Sequence, residues 1–138
     1  MSVTQLNEVG FGDELGPWQP DTRLSQTAAF AEAVGWGQPD RFCNHEAARR
    51  EGHPGAMVPG IMGMGFLTTL IRSWAPTAQI DQIDTVFRAP MIADETLHVS
   101  AVVTDIDEDA GLVELDLTVK NDADETRLFG TAKVSLPG

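Results

Sequence analysis

The sequence predicts an α+β fold in which an antiparallel sheet packs against one buried helix. The segment from Ala56 to Trp74 is the most apolar of the chain, and its single charge, Arg72, comes near its end. Residues 112–120 alternate strictly between apolar and polar side chains, which is typical of a strand with one buried and one solvated face. Short helical segments before the apolar segment and further alternating segments after it complete this class.

The region before the apolar segment predicts a short strand and two helices. Residues 1–22 are polar and rich in Gly and Pro, so we expect an extended lead-in with one short strand. Apolar residues recur at helical spacing from Leu24 to Gly35, with Ser25 as the predicted N-cap. Residues 36–44 predict a loop, and Asn44 is the predicted cap of a second short helix.

The apolar segment predicts the central helix, with Pro59 and Gly60 at its start and Pro76 as its stop. One strand is predicted to begin at Val86 and to end at Pro90. Further strands are predicted over residues 96–105, 112–120 and the C-terminal segment. In the last strand the shared face consists of Leu128, Gly130, Ala132, Val134 and Leu136. One sheet of this size covers only part of an apolar helix, so we expect a second copy or a related chain to cover the rest.

The length, charge and cysteine content of the chain exclude several classes of protein. The chain has 138 residues and a formal net charge of −12, which predicts a single domain over residues 1–138. The acidity argues against nucleic acid or an anionic membrane as partner, since both require a basic surface. No apolar run of about 20 residues exists to span a membrane, and no signal segment is evident. With Cys43 as its one cysteine, the chain is expected to be cytoplasmic.

Four local patterns resemble the hot-dog fold, specifically its MaoC-like dehydratase and (R)-specific enoyl-CoA hydratase branch. The patterns are FGDELGPW followed by TAAFAEAVG, then EAARREGHPGAMVPGIM, then VFRAPMIADETL, and finally the alternating C-terminal strands. Their order and spacing carry the resemblance over most of the chain. It implies an antiparallel sheet wrapped around a buried central helix.

The resemblance also implies a hydratase or dehydratase that acts on the α,β double bond of an acyl thioester of coenzyme A or a carrier protein. In that family an Asp and a His five residues later activate water and move the proton. Asp40 and His45 have this spacing here and are the candidate catalytic pair. A backbone N–H at the start of the central helix holds the thioester oxygen, and Gly60 stands at that place.

The flanking sequences place the pair differently. Matching EAARREG to the helix that follows the family's site puts the His on Phe42 and the Asp near Gly37. Matching AFAEAVG from the other side puts them on Arg41 and Trp36. Neither pair can perform acid–base chemistry, so a shifted loop and an absent dyad both remain open.

The candidate substrate-binding residues are Arg41, Phe42, Met57 and Met62. Arg41 would bind a phosphate or carboxylate, and the methionines would line a pliable acyl tunnel. Coenzyme A phosphates would have to find partners among nine Lys and Arg, and the candidates are Arg41, Arg49, Arg50, Arg72 and Arg88. Cys43 lacks a thiol-enzyme motif, and no zinc or nucleotide-binding motif is present, so no cofactor or metal is expected.

Three alternatives to the stand-alone hydratase stay open. The chain could be a degenerate subunit that completes a heteromer, or a relative that uses Arg41, Cys43 or His45 in a new role. It could also be an acyl thioesterase, although no acidic residue stands in the central helix for that chemistry. We expect a homodimer, or a heteromer with a related hot-dog chain.

Overall fold

A five-stranded antiparallel sheet forms most of the structure. The computed structural model describes residues 2–138, and its strands are β1 (Glu14–Trp18), β2 (Met57–Val58), β3 (Gln79–Phe87), β4 (Met91–Ile92), β5 (Leu97–Asp107), β6 (Leu112–Asn121) and β7 (Thr126–Ser135). The main sheet has the order β1-β5-β6-β7-β3, and β2 pairs separately with β4. The alternation in the sequence sets the faces of the sheet: Val113, Leu115, Leu117 and Val119 of β6 are all buried.

Four helices precede or cross the sheet. They are α1 (Leu24–Ala33), α2 (Asp40–Cys43), α3 (His45–Arg50) and α4 (Gly60–Trp74), and a 3-10 turn covers Leu6–Glu8. The central helix α4 begins at Gly60 and ends just before Ala75, as predicted. Asn44 caps α3 as predicted, because its side-chain oxygen accepts a hydrogen bond of 2.9 Å from the Ala47 N–H.

The helix α4 packs on the inner face of the sheet and is buried along one side. Phe66, Leu67, Leu70 and Ile71 belong to the hydrophobic core, and each such side chain contributes roughly 1.5–3 kcal/mol through burial. The opposite side is open, and Ile61 is 57% exposed. One sheet therefore covers half of this helix, as its size led us to expect.

Three local predictions were wrong. Ser25 is not a cap, because α1 begins one residue earlier; its first N–H, that of Leu24, donates to Asp94 Oδ1 at 2.9 Å instead. Residues 36–44 are not entirely loop, because Asp40–Cys43 forms the short helix α2. The strand predicted from Val86 to Pro90 lies earlier in the chain, since β3 begins at Gln79 and ends at Phe87.

The strands β1 and β3 form the two edges of the main sheet. Near the end of β3, Val86 and Phe87 are about half exposed. An apolar edge strand of this kind favours pairing with another chain.

Among residues 2–138, no helix is long and apolar enough to cross a membrane.

Candidate active site

An apolar cavity of about 520 Å³ opens at the start of α4. We call it the aromatic pocket. Its walls come from the loop after α1, from α2, from β2 and from the segment that joins β3 to β4. The lining residues are Trp36, Phe42, Met57, Val58, Gly60, Ile61, Phe87, Arg88, Ala89, Pro90 and Met91.

Two aromatic side chains close the pocket on the side of α2. The rings of Trp36 and Phe42 lie 5.4 Å apart between centroids and are inclined by 32°. Phe30 of α1 contacts the far side of Trp36 edge-on, with 6.3 Å between centroids. This packing holds Trp36 in the wall although the indole remains partly exposed.

Gly60 is the first residue of α4 and forms part of the opposite wall. The N-cap is Pro59, and the helical hydrogen-bond ladder starts with the bond from Gly63 N–H to Pro59 O. The N–H groups of the first turn therefore lie before the ladder, where the helix dipole favours a negatively charged oxygen. A Cβ atom on Gly60 would lie 2.8 Å from Cε1 of Phe87, so the close approach of that ring requires glycine here.

The structure places Asp40 and Arg41 outside the aromatic pocket. Both side chains are exposed on α2. The Arg41 guanidinium lies 3.9 Å from the carboxylate of Glu51, and both groups are largely solvated, so this contact contributes little to stability. Neither residue lines the cavity.

His45 has an acidic partner, but it is not Asp40. Its Nε2 lies 2.7 Å from Asp94 Oδ2, and its Nδ1 accepts a hydrogen bond of 3.0 Å from the Ala56 N–H. Because Nδ1 accepts, the proton of the neutral ring is on Nε2 and is donated to Asp94. Both ring nitrogens are thus engaged, and His45 is also absent from the lining of the pocket.

Asp94 joins three segments of the chain, and sequence reasoning missed it. One carboxylate oxygen binds His45, and the other accepts the Leu24 N–H at the start of α1. Its own N–H donates to Thr22 O, and its backbone has a positive φ of 69°. The two hydrogen bonds to the carboxylate, that from His45 first, lower the pKa of Asp94. The only signal in the sequence was its place in the pattern VFRAPMIADETL, which resembles the family.

The lowered pKa of Asp94 makes stability depend on pH. A carboxylate with a lower pKa in the folded than in the unfolded chain stabilises the fold above its unfolded pKa, about 3.9. This contribution is lost as the pH falls through the folded pKa. We therefore expect Asp94→Asn to be less stable than the natural chain at pH 7, with a difference that shrinks below about pH 4.

Urea unfolding at pH 7, 5, 4 and 3 measures this difference. Asparagine suits the test because it tolerates positive φ and keeps an oxygen for the Leu24 N–H. Asp109→Asn makes the same change of charge in an exposed turn and serves as the control. A stability difference for Asp94→Asn that stays constant over this range would contradict the assignment.

The remaining candidates divide between pocket and core. Met57 lines the pocket, whereas Met62, predicted to line an acyl tunnel, packs against the hydrophobic core. Burial raises the pKa of the Cys43 thiol, and the nearby carboxylates of Asp40 and Glu32 raise it further. The thiol is thereby kept protonated, which opposes a role as nucleophile.

The pocket can bind an apolar group, and the start of α4 can donate hydrogen bonds to an oxygen at its edge. Arg88 is the only ionisable residue among the lining residues. No carboxylate, imidazole or thiol of the described lining is therefore available to move a proton within the cavity.

The comparisons with solved structures identify the fold. The (R)-hydratase PhaJ1 from Pseudomonas aeruginosa superposes with a TM-score of 0.87 at 16% identity, over 97% of this chain and 86% of the other. A MaoC-like dehydratase from Rhodospirillum rubrum gives 0.78 at 18% identity, over 97% of both chains. The chain has the hot-dog fold of these proteins.

The chain is also similar to a protein that was solved as part of a complex. A chain of the ChsH1-ChsH2 complex from Mycobacterium tuberculosis superposes with a TM-score of 0.82 at 19% identity, over 93% of this chain and 98% of the other. No protein-family model matches the sequence, and no curated protein matches it significantly. The likeness therefore extends to the hot-dog fold and carries no residue-level assignment.

Proposed function

We propose that this hot-dog chain is an acyl-thioester-binding subunit of the hydratase and dehydratase class. It binds an enoyl or 3-hydroxyacyl thioester, and a second, related chain contributes the acid–base groups that act on the α,β double bond. The observation that carries the proposal is the aromatic pocket. It opens at the start of α4, yet Arg88 is the only ionisable residue of its lining.

The acyl chain lies against the aromatic walls, and its thioester carbonyl faces the first turn of α4. The Gly60 N–H donates a hydrogen bond to the carbonyl oxygen. Negative charge that develops on this oxygen is stabilised there by the amide and the helix dipole. Each buried methylene contributes about 0.8 kcal/mol, so affinity rises with acyl length until the cavity of about 520 Å³ is filled.

The second chain would pair along β3. This strand is a sheet edge, and Val86 and Phe87 expose apolar surface on it. Phe87 also lines the aromatic pocket, so a chain seated on this edge stands next to the bound thioester. The exposed face of α4, which includes Ile61, provides further apolar surface for the same partner. The ChsH1-ChsH2 complex is a precedent for two chains in one assembly.

Binding without turnover is the expected result for the purified chain. Calorimetry with crotonyl-CoA and longer enoyl-CoA thioesters is expected to detect binding that tightens with acyl length. The enoyl absorbance is expected to persist and no free thiol to appear. Hydration is expected only after a second hot-dog chain with an Asp and a His five residues apart is added.

The variants Asp40→Asn and His45→Ala separate this proposal from a stand-alone hydratase. Both are expected to leave thioester affinity unchanged, because neither side chain lines the pocket. Loss of the enoyl absorbance by the chain alone, abolished in both variants, would instead establish the Asp40–His45 pair as catalytic. Release of free thiol would identify a thioesterase.

A further inference from the structure

Three of the nine Lys and Arg residues of this acidic chain line a single cavity. The cavity has a volume of about 690 Å³, and its cationic residues are Arg88, Lys120 and Arg127. We call it the basic basin. Thr118, Thr126 and one acidic residue, Glu125, belong to the same lining. In a chain with a net charge of −12, this lining therefore carries more positive than negative groups.

The sheet itself builds the basin. Lys120 is opposite Thr126 in the pairing of β6 with β7, and Thr118 is opposite Phe129. Thr118, Lys120 and Phe129 each follow or precede a buried residue of their strand, so they lie on the outer face of the sheet. The N–H groups of Arg88 and Ala89 both donate to Arg127 O, which holds the end of β3 against β7.

The cations of the basin retain donors for a ligand. Arg127 contacts Glu125 through Nη2 at 3.1 Å, and Lys120 lies 3.2 Å from Asp124. Each guanidinium has five N–H donors and each ammonium three, so these contacts leave several of them available. Among residues 2–138, no carboxylate forms an ion pair with Arg88. A multiply charged anion with several acceptor oxygens fits this set of donors.

The basin adjoins the aromatic pocket and offers one aromatic surface of its own. Arg88 and Ala89 line both cavities, so the path from the start of α4 to the basin passes over them. Phe129 lies in the lining of the basin and is 38% exposed. An exposed phenyl ring beside phosphate-binding cations suits a nucleobase, which stacks on such rings.

We propose that the basic basin binds the phosphorylated nucleotide end of coenzyme A while the acyl group occupies the aromatic pocket. The phosphates lie against Arg88, Lys120 and Arg127, and the adenine stacks on Phe129. This inference rests on the proposed thioester-binding function and makes it specific, because it assigns coenzyme A rather than a carrier protein as the carrier of the acyl group.

Two ligands that share one thioester test the assignment. Crotonyl-CoA has the phosphates, whereas the crotonyl thioester of N-acetylcysteamine has none. Lys120→Gln/Arg127→Gln changes only residues of the basin. It is expected to weaken crotonyl-CoA binding roughly tenfold at low salt and to leave the truncated thioester unaffected. Arg50→Gln/Arg72→Gln removes two exposed cations outside both cavities and is the charge-matched control.

The outcomes are distinguishable. Unchanged crotonyl-CoA affinity in Lys120→Gln/Arg127→Gln, or an equal loss in Arg50→Gln/Arg72→Gln, overturns the basin assignment, while binding of the truncated thioester keeps the pocket proposal. If the double variant weakens binding of a crotonyl carrier protein but not of crotonyl-CoA, the occupant is the carrier protein and the assignment is also overturned. Basin-dependent binding of free CoA and crotonyl-CoA with equal affinity, without binding of the truncated thioester, supports the basin and refutes the pocket. The single variant Lys120→Gln repeats the test if the double variant is unstable.

Discussion

Gly130→Ala is expected to destabilise the fold by roughly 3 kcal/mol or more, the upper end of what overpacking costs. Gly130 lies in β7 opposite Thr85 of β3. An added Cβ would overlap the carbonyl of Asp84 and would approach Thr85 Cα to 2.9 Å. The obstacle is backbone, which cannot rotate away as a side chain can. The edge strand β3 would have to shift, and the wall that it gives to the aromatic pocket would shift with it.

Urea unfolding followed by circular dichroism measures the effect. Gly65→Ala is the matched control, because an added Cβ there meets nothing within 4 Å. Alanine favours a helix over glycine by about 1 kcal/mol, so the control is expected to be as stable as the natural chain or more stable. Equal stability of the Gly130→Ala variant and the natural chain would show that the sheet does not require this close approach.

Gly60→Ala is expected to weaken binding of the truncated crotonyl thioester by at least roughly tenfold, about 1.4 kcal/mol. The new methyl group would stand beside the N–H that we propose as the donor to the thioester oxygen. It would also lie 2.8 Å from the ring of Phe87, which lines the same pocket. The ring must therefore turn, and the cavity changes shape. Calorimetry on both chains gives the ratio of affinities.

The double variant Gly60→Ala/Phe87→Ala separates the two causes. If the methyl group acts by displacing the ring, removal of Phe87 restores much of the lost affinity relative to Phe87→Ala alone. If it acts by covering the N–H, no affinity returns. Unchanged affinity in Gly60→Ala would contradict a thioester oxygen at the start of α4.

Helices and strands could be predicted from the sequence where the hydrophobic pattern and the residues at the ends of the element indicate the same structure. Strict alternation over residues 112–120 corresponds to β6, and the stops at Pro59 and Pro76 bracket α4 closely. The apolar segment needed no knowledge of its surroundings to be recognised as a helix. By contrast, β3 lies at the edge of the sheet and has a weak burial pattern, so its first half gave no comparable signal.

The site was harder to predict because its walls come from distant segments. Of the candidate residues, Gly60, Phe42 and Met57 line the aromatic pocket, whereas Asp40 and Arg41 are exposed. The wall residues Phe87 and Pro90 are absent from the sequence-based candidates. They belong to the connection after β3, which reaches the start of α4 only when the sheet has closed.

The sequence alone determined the class of fold and the position of the glycine that starts α4, because periodicity and helix-start chemistry are local properties. Only the tertiary structure decided that His45 pairs with Asp94, 49 residues away. It also decided that Lys120 and Arg127 meet Arg88 beside the pocket. Such pairings depend on strand register and on the direction of each connection. Spacing along the chain carries no information about either.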